Sequence, residues 1–384
     1  MKAMTGVNNK ILIMAGGTGG HVFPALSIAR CLRDKGIEVE WLGTRNGLEA
    51  KVIAATDIPL HYISIAGLRG SSLLRKLLSP LVIFMAVLQS ISALIRIKPG
   101  CVLGMGGFVT GPGGLAARLL GKTLLIHEQN AIAGLTNQLL FPLASTVMEA
   151  FPGAFARKQA LSGSAFMKRL IKPEQTVVVG NPVRSDIVEC GKLRVNRQES
   201  HEQLRVLIIG GSLGAVAINK AIPGMLALMA DSQRPAILHQ CGTRNLEETE
   251  SFYREAGITL DAQVRVQAFI DDMSEAYAWA DIIIARAGAM TVAEIAVAGL
   301  ASVLIPYPYA VDDHQSANAA YLADRQAARV IPQHELTAAS LLAAVQEIAA
   351  DRQVLQQISR NALAAGNPDA TDKAAQFCLE ACHA

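Results

Sequence analysis

The sequence predicts an α/β protein made of two Rossmann-like, doubly wound domains with parallel sheets. Three observations carry this. The chain has 384 residues, too many for one ordinary core and enough for two. Apolar runs of strand length alternate with longer helical segments, the pattern of a parallel sheet covered on both faces. The order strand, glycine loop, helix at residues 10–30 returns in "LRVLIIGGSLGAVAINKAI" at 204–222, so the second half repeats the first and does not extend its sheet.

Taken in order, "KILIMA" (10–15) reads as a strand, "PALSIARCLRDKG" (24–36) as a helix ended by Gly36, and "EVEWLG" (38–43) as the next strand. "GCVLGMG" (100–106) is another strand, and the glycine cluster "GMGGFVTGPGG" (104–114) opens a helix from about Gly113. "TLLIHEQN" (123–130) is a strand with a polar tip, and "STVMEA" and "TVVVGNPV" are shorter strands. Residues 153–173 fit neither period; with Arg157, Lys158, Lys168, Arg169 and Lys172 they read as a mobile basic loop. Around 185–204 the texture turns polar, "ECGKLRVNRQESHEQ", which reads as an interdomain linker. Beyond it, "AILHQCG", "VRVQAF", "ADIIIARAG" and "ASVLIPYP" supply four more strands, and the Ala- and Leu-rich tail from about 335 is helical. The expected domains are 1–185, a linker at 186–204, 205–358, and a C-terminal helix at 359–384 that packs back on the N-terminal domain.

Composition excludes some functions. The net charge is +3, too small for a whole-protein field that would attract nucleic acid, and none is expected as a partner. Six cysteines show no disulfide spacing, and Gly6, Asn8, Asn9 and Lys10 interrupt any secretory leader before the first strand, so a reducing cytoplasm is expected. The "CLEACH" ending (Cys378, Cys382, His383) offers only three ligands, and no metal site is predicted there. Residues 77–95, "LLSPLVIFMAVLQSISALI", have the length of a membrane span. Ser79, Pro80, Gln89, Ser90 and Ser92 interrupt them, and Arg75, Lys76, Arg96 and Lys98 flank them. Two readings stand: an amphipathic helix on a membrane surface, or a buried core helix.

Among the motifs, a dinucleotide fingerprint fails. From Gly17 the chain reads G-T-G-G-H-V without the third glycine, although Glu38 and Glu40 fall near the acidic position. "GKT" at 121–123 is no P-loop, because Ala116 stands where its first glycine belongs. Three glycine loops at 16–20, 104–114 and 210–214 each join a strand to a helix. Such loops aim backbone N–H groups and a helix N-terminus at an anion, and two such domains facing each other make a cleft lined for phosphate. One loop of the three can instead serve only close helix packing.

"RAGAMTVAEIAVAGL" (286–300) admits two readings of Glu294: partner of Thr291 in a capping box, or a first-turn carboxylate accepting two ribose hydroxyls. "HEQN" (127–130) ends a strand where substrate groups are met. In "DDHQSANA" (312–319), Gln315 and Asn318 read sugar hydroxyls, or the segment is a helix start capped by Asp312 or Asp313. Arg184, in "GNPVR", binds a phosphate or sugar or is a surface charge.

Taken together, "GGTGGHVFPALSIA", "GMGGFVTGPGG", "HEQNAIAGLTN", "AFPGAF", "GNPVR", "GGSLGA", "FIDDM" and "RAGAMTVAEIAVAGLASVLIPYP" resemble the MurG family over nearly the whole chain. That family moves N-acetylglucosamine from UDP-N-acetylglucosamine onto undecaprenyl-diphospho-N-acetylmuramoyl-pentapeptide (lipid I), making lipid II for peptidoglycan and so serving cell shape and division. The resemblance implies a GT-B fold, whose two domains face across a deep cleft. It implies a peripheral protein on the cytoplasmic face of the inner membrane, meeting anionic lipid and other cell-wall synthesis proteins. It also implies site residues: Ser212 on the diphosphate, Ile270 on uracil, Ala289, Met290, Thr291, Val292 and Ala293 beside diphosphate and sugar, Glu294 on ribose, and Gln315 on the sugar. Thr18, Gly19, Gly20, Asn130 and Arg184 then line the other side. Three positions depart from the family pattern: His314 before Gln315, Phe108 for a common tyrosine, and Leu213 for a frequent glutamine.

The implied reaction is an inverting displacement by the acceptor 4-hydroxyl, which needs a general base. His21 is the first candidate, with His127 and Glu128 as alternatives. No D-x-D pair stands on the donor side, so no cofactor and no metal is expected. Leu73, Leu74, Leu77, Leu78, Leu81 and Phe84, beside Arg75 and Lys76, form the expected membrane face. A nucleotide-sugar epimerase of the same two-domain build is the alternative.

Overall fold

The computed structural model describes residues 9–65, 79–156, 173–195, 203–211 and 214–383. Leu73, Leu74, Arg75, Lys76, Leu77 and Leu78 of the expected membrane face, the candidate Ser212 and the basic segment 157–172 lie outside the described residues. The chain forms two compact units, Met1–Pro182 with Asp369–Ala384, and Val183–Pro368.

The first unit carries a seven-stranded parallel sheet. Its strands are β1 (Lys10–Met14), β2 (Glu38–Gly43), β3 (Leu60–Tyr62), β4 (Cys101–Gly104), β5 (Thr123–Glu128), β6 (Thr146–Glu149) and β7 (Gln175–Val178), in the order β3-β2-β1-β4-β5-β6-β7. The helices are α1 (Gly19–Asp34), α2 (Leu48–Ala54), α3 (Ser79–Ile97), α4 (Thr110–Leu119) and α5 (Leu135–Leu140). Because β1 and β4 are covered on both faces, they read as unbroken apolar runs. Ile11 and Ile13 pack with Val22, Ile28 and Leu32 of α1 and with Trp41, whose indole N–H donates to the Ala15 carbonyl at 3.0 Å. Leu12, Met14 and Val102 face Val87 and Leu94 of α3 and Ala116 and Ala117 of α4. Each such side chain contributes roughly 1.5–3 kcal/mol on leaving water.

The second unit carries a six-stranded parallel sheet. Its strands are β8 (Arg205–Ile209), β9 (Ala236–Gln240), β10 (Val264–Gln267), β11 (Ile282–Ala285), β12 (Ala301–Leu304) and β13 (Ala328–Val330), in the order β10-β9-β8-β11-β12-β13. Its helices are α6 (Ser185–Val195), α7 (Val216–Ala227), α8 (Leu246–Glu255), α9 (Met273–Trp279), α10 (Ala289–Ala298), α11 (His314–Ala323), α12 (Ala338–Ala349) and α13 (Arg352–Ala365). A last helix, α14 (Ala370–His383), belongs to the first unit, where Ala374, Ala375 and Cys378 join the core beside α1.

The two sheets reverse strand order at the same relative place, between β1 and β4 and between β8 and β11. In open α/β sheets, ligands bind outside the carboxyl ends of the strands at such a switch point. The loops after β1 and β4, and those after β8 and β11, therefore mark the place to look in each unit.

Several boundaries differ from the sequence reading. Helix α6 fills the start of the stretch expected to be linker. It has few apolar positions to show a period, but Gly191 lies so close to α10 that an added methyl would come 1.9 Å from the Val297 carbonyl oxygen. Arg194 also donates to the Tyr277 and Ala280 carbonyls at 2.7 and 2.8 Å. The second unit begins at Val183, so Arg184 belongs to it and not to the first. Of the tail, α13 stays in the second unit and only α14 returns to the first. Helices α1 and α4 begin at Gly19 and Thr110, before the expected Pro24 and Gly113, because glycine stretches that read as loop wind into first turns.

Helix α3 is packed into the core along one side, as the core-helix reading expects, and leaves apolar side chains exposed on its first turns. Its rear buries Ala86, Val87, Ser90, Ala93, Leu94 and Ile97. Its first turns leave Leu81, Ile83, Phe84 and Met85 exposed, Leu81 by 60% and Phe84 by 57%. By length and composition the helix is apolar enough to cross a membrane, yet a third (33%) of its apolar window is buried in the unit.

Candidate active site

In the first unit the loops after β1 and β4 interlock. Gly107 has a φ of +80°, and a methyl on its α-carbon would lie 2.2 Å from the Gly16 carbonyl oxygen, so no other residue fits there without moving one loop. Thr110 Oγ1 lies 3.0 Å from the Met14 carbonyl and 2.7 Å from that of Gly106, tying the second loop to β1. Glu49, which sequence reasoning missed, locks the first loop. Its buried carboxylate accepts hydrogen bonds from Gly17 N (3.2 Å), Thr44 N (2.9 Å) and Thr44 Oγ1 (2.7 Å). A lone glutamate in a short helix carries no motif that announces this.

His21 sits in the first turn of α1 on this frame. Thr18, the helix N-cap residue, makes no side-chain bond to the helix backbone; its hydroxyl meets His21 Nδ1 at 3.0 Å. The Thr18 carbonyl accepts from His21 N (3.1 Å) and Val22 N (3.2 Å). Near a methyl built on Gly20, Thr18 Oγ1, at 3.7 Å, is the one atom within 4 Å among the described residues beyond its chain neighbours and the helix's own backbone, so a ligand can approach this turn. A methyl on Gly106 would lie 2.8 Å from His21 Cδ2. Phe108 packs its ring 3.3 Å from where a Gly17 methyl would stand.

The tip of β5 adds His127, Glu128 and Asn130, but the first two are structural in their contacts. His127 is fully buried. Its Nε2 meets the Gly180 carbonyl at 2.9 Å and its Nδ1 meets Gln129 Nε2 at 3.1 Å. Burial pulls its pKa down to about 4, opposed by the Gly180 carbonyl, so the ring stays neutral with both nitrogens engaged. The buried Glu128 carboxylate accepts from Asn130 N (2.9 Å), Asn130 Nδ2 (3.1 Å), Gly134 N (3.0 Å) and Asn137 Nδ2 (2.9 Å). It shapes the loop after β5 and has little acceptor capacity left for a substrate proton. His21, half-buried on the glycine loops, is the candidate whose surroundings suit a base.

In the second unit α10 opens directly after β11, so its positive end lies at the switch point. Its N-cap is Gly288, with no side-chain cap. The expected capping box is therefore not formed, and Glu294 stands in the second turn, not the first. Glu294 instead accepts from the Tyr277 hydroxyl at 3.0 Å. Desolvation pushes its pKa up to about 7, opposed by the Tyr277 hydrogen bond and the Arg184 charge. Val292 is buried and its N–H bonds to the Gly288 carbonyl at 2.9 Å, so it packs the helix and offers no polar group to a ligand. Ala289 is also buried, while Met290, Thr291 and Ala293 are half-buried.

Arg184 is exposed and lies 3.5 Å from Asp186 Oδ1, and its field reaches both Glu294 and Tyr277. It thus stands with the second unit's candidates and not opposite them. Ile270 is buried in the loop after β10. Gln315 Oε1 accepts from Tyr307 N at 2.9 Å, tying α11 to the loop after β12. Asn318 is fully buried, and its Nδ2 donates to the Ala287 carbonyl at 3.2 Å, which braces the loop after β11 and removes it from the sugar readers. Asp313 is the N-cap of α11 but accepts from the Ser316 hydroxyl (2.7 Å), not from a backbone N–H.

Among the described residues no group of three or more His, Cys, Asp or Glu side chains is placed to hold a metal ion. In the C-terminal "CLEACH" segment, Cys378 is buried in the core and Cys382 Sγ lies 2.9 Å from Cys101 Sγ.

The chain matches two family models, the glycosyltransferase family 28 N-terminal domain over residues 11–149 and its C-terminal domain over 205–374. It is 46% identical over 374 residues to the UDP-N-acetylglucosamine–N-acetylmuramyl-(pentapeptide) pyrophosphoryl-undecaprenol N-acetylglucosamine transferase of Marinobacter nauticus, covering 97% of each chain. Among solved structures it is similar to Acinetobacter baumannii MurG, with a TM-score of 0.80 and 39% identity over 97% of this chain and 99% of that one. The UDP-GlcNAc 2-epimerase of Neisseria meningitidis matches at a TM-score of 0.67, over 97% of this chain and 100% of that one, but with 12% identity, a likeness of fold alone.

The interlocked loops make a direct prediction. Gly107→Ala must strain both its own φ and the Gly16 contact, whereas Gly121 (φ +66°) has, beyond its chain neighbours, nothing among the described residues within 4 Å of an added methyl. Urea denaturation should show Gly121→Ala costing about 1 kcal/mol and Gly107→Ala about 2–3 kcal/mol. Equal costs would mean that the loop contact adds nothing.

Proposed function

The chain belongs to glycosyltransferase family 28, among the enzymes that transfer N-acetylglucosamine from UDP-N-acetylglucosamine to lipid I, and we propose how its residues divide that reaction. The observation that carries the reading is the convergence of two glycine loops on His21 at the first unit's switch point. The first unit takes the acceptor there, and the second takes the donor at the ends of β8, β10 and β11.

The step is an inverting displacement. His21, with Nδ1–H donating to Thr18, presents its Nε2 lone pair to the acceptor 4-hydroxyl and takes that proton. The oxygen bonds to the anomeric carbon of N-acetylglucosamine as the bond to the β-phosphate oxygen breaks, and UDP leaves with the electron pair. The first turn of α10 at Met290 and Thr291, and Arg184, stabilise the charge that gathers on the diphosphate without a required metal. By family position Ser212 joins them, Ile270 meets the uracil through its backbone, and Gln315 meets the sugar. Glu294 accepts the ribose hydroxyls.

The lipid acceptor places the enzyme at the cytoplasmic face of the inner membrane. Support comes from exposed apolar side chains spread over adjacent helices: Leu81, Phe84 and Met85 of α3, Leu119 of α4, and Leu135 and Leu139 of α5. The surface is too limited and too rooted in the core for a span, and suits peripheral docking.

The deciding assay is UDP release from UDP-N-acetylglucosamine with and without a short-chain lipid I analogue. Release should require the acceptor, persist in EDTA, and fall at least 100-fold in His21→Ala with donor affinity retained. Near-normal turnover of the variant would remove His21 as base, and loss in EDTA reversed by one divalent ion would overturn the metal-free step. Conversion of the donor to a 2-epimer with no acceptor present would favour the epimerase reading.

Glu294 gives a pH signature. As pH falls through about 7 its carboxylate gains a proton and loses acceptor capacity. Calorimetric affinity for UDP-N-acetylglucosamine should weaken about tenfold from pH 8 to pH 6, and Glu294→Gln should flatten that change. Flotation with anionic vesicles should recover the wild type, while Leu81→Glu combined with Phe84→Glu should stay behind; equal flotation would remove α3 from the docking surface.

A further inference from the structure

Gln129, one residue past the end of β5, has no part in the reaction as described. Its neighbours decide which way its amide points. His127 Nε2 lies 2.9 Å from the Gly180 carbonyl, a group that only accepts, so Nε2 carries the ring proton. Nδ1 of that neutral ring then only accepts, and Gln129 Nε2 donates to it at 3.1 Å. The carbonyl end of the amide must therefore face away from His127. Gln129 is 1% exposed, and Oε1 is buried with no hydrogen-bond partner among the described residues. Its main-chain carbonyl is tied separately, by Asn181 Nδ2 at 2.9 Å.

A buried acceptor without a donor is rare in a native fold and costly to keep. This one faces Gly106. A methyl on Gly106 would lie 3.6 Å from Gln129 Oε1 and 3.0 Å from His21 Nε2, so both atoms converge on one bare α-carbon at the end of β4. The bare Gly106 α-carbon thus lets the imidazole pack close beside the amide carbonyl.

We infer that Gln129 Oε1 binds the acceptor sugar, accepting a hydrogen bond from its 6-hydroxyl or its acetamido N–H and so setting the 4-hydroxyl against His21. This rests on the reading that the first unit takes the acceptor. A site built to hydrogen-bond a group discriminates against a substrate lacking it, because the protein's own polar atom is then left unpaired.

The test is a cycle between enzyme and substrate in the full-length protein. Wild type, Gln129→Met and Gln129→Asn are assayed on a short-chain lipid I analogue, its 6-deoxy form and its N-methylacetamido form. Wild type should lose about tenfold in kcat/KM on one modified acceptor, the worth of one buried hydrogen bond. Gln129→Met should lose about tenfold on the parent acceptor and nothing further on that modified one, with the KM for UDP-N-acetylglucosamine unchanged. Should Gln129→Met fail to give a cooperative thermal melt, Gln129→Asn, which keeps the amide but shortens its reach, carries the same cycle. If both modified acceptors lose as much in the variants as in wild type, Gln129 only braces His127 and the inference is overturned. If wild type releases no UDP with the parent acceptor, the transfer reading itself fails and takes this inference with it.

Discussion

The contact between Gly107 and the Gly16 carbonyl is the constraint from which the first unit's site follows. Two strands adjacent at a switch point must each turn into a helix at the same edge of the sheet. If their loops carried side chains, the loops would stand apart and a pocket would open between them. Here the backbones touch, with room for no β-carbon. The turn of α1 that bears His21 is thereby set against the turn bearing Gly106, and the imidazole's position becomes a property of two loops at once. Four glycines around Thr18 are more than a turn requires. They serve two different contacts, Gly16 against the second loop and Gly20 toward open space.

Buried carboxylates hold this arrangement from behind. Glu49 accepts the amides of Gly17 and Thr44, and Glu128 those of Asn130 and Gly134. Glu149, at the end of β6, accepts those of Gly153 and Phe155 at 3.0 and 3.2 Å. Each sits at the carboxyl edge of the sheet and gathers loop donors that have no strand partner. Charge-assisted bonds of this kind are shorter and stronger than neutral ones. Removing one leaves buried amides unpaired, at about 1–3 kcal/mol for each group. Three loops at one edge of the sheet are thus each tied down by a carboxylate.

Much of this was legible in the sequence, for identifiable reasons. Strands such as "ILIM" are buried on both faces and announce themselves as unbroken apolar runs. The glycine loops were visible because only close approach explains so many glycines together. What escaped depends on contacts far apart in the chain. Glu49 reaches across to Gly17, and Gly191 marks α6 by touching Val297, neither of which leaves a local pattern. The T-x-x-E at Thr291 fits a capping box by spacing, but the helix starts at Ala289 and moves Thr291 inside it. Arg184 follows a strand of the first sheet and still belongs to the second unit, because the chain crosses over one residue earlier.

Two histidines lie at the ends of neighbouring regions of one sheet, and the contrast between them shows how position assigns chemistry. His127 is enclosed, bonded at both nitrogens and held neutral by burial, so it conducts no proton and acts as a strut between Gly180 and Gln129. Its fixed tautomer is still informative, because it turns the Gln129 amide and leaves Oε1 facing Gly106. His21 has the same side chain but stands half-buried in a first helical turn on glycine, its Nδ1 3.0 Å from the Thr18 hydroxyl. Exchanging their environments would exchange their roles. The enclosed histidine thus orients the Gln129 amide, while the half-buried one is the candidate base, and both the amide carbonyl and the second imidazole lie against the bare α-carbon of Gly106.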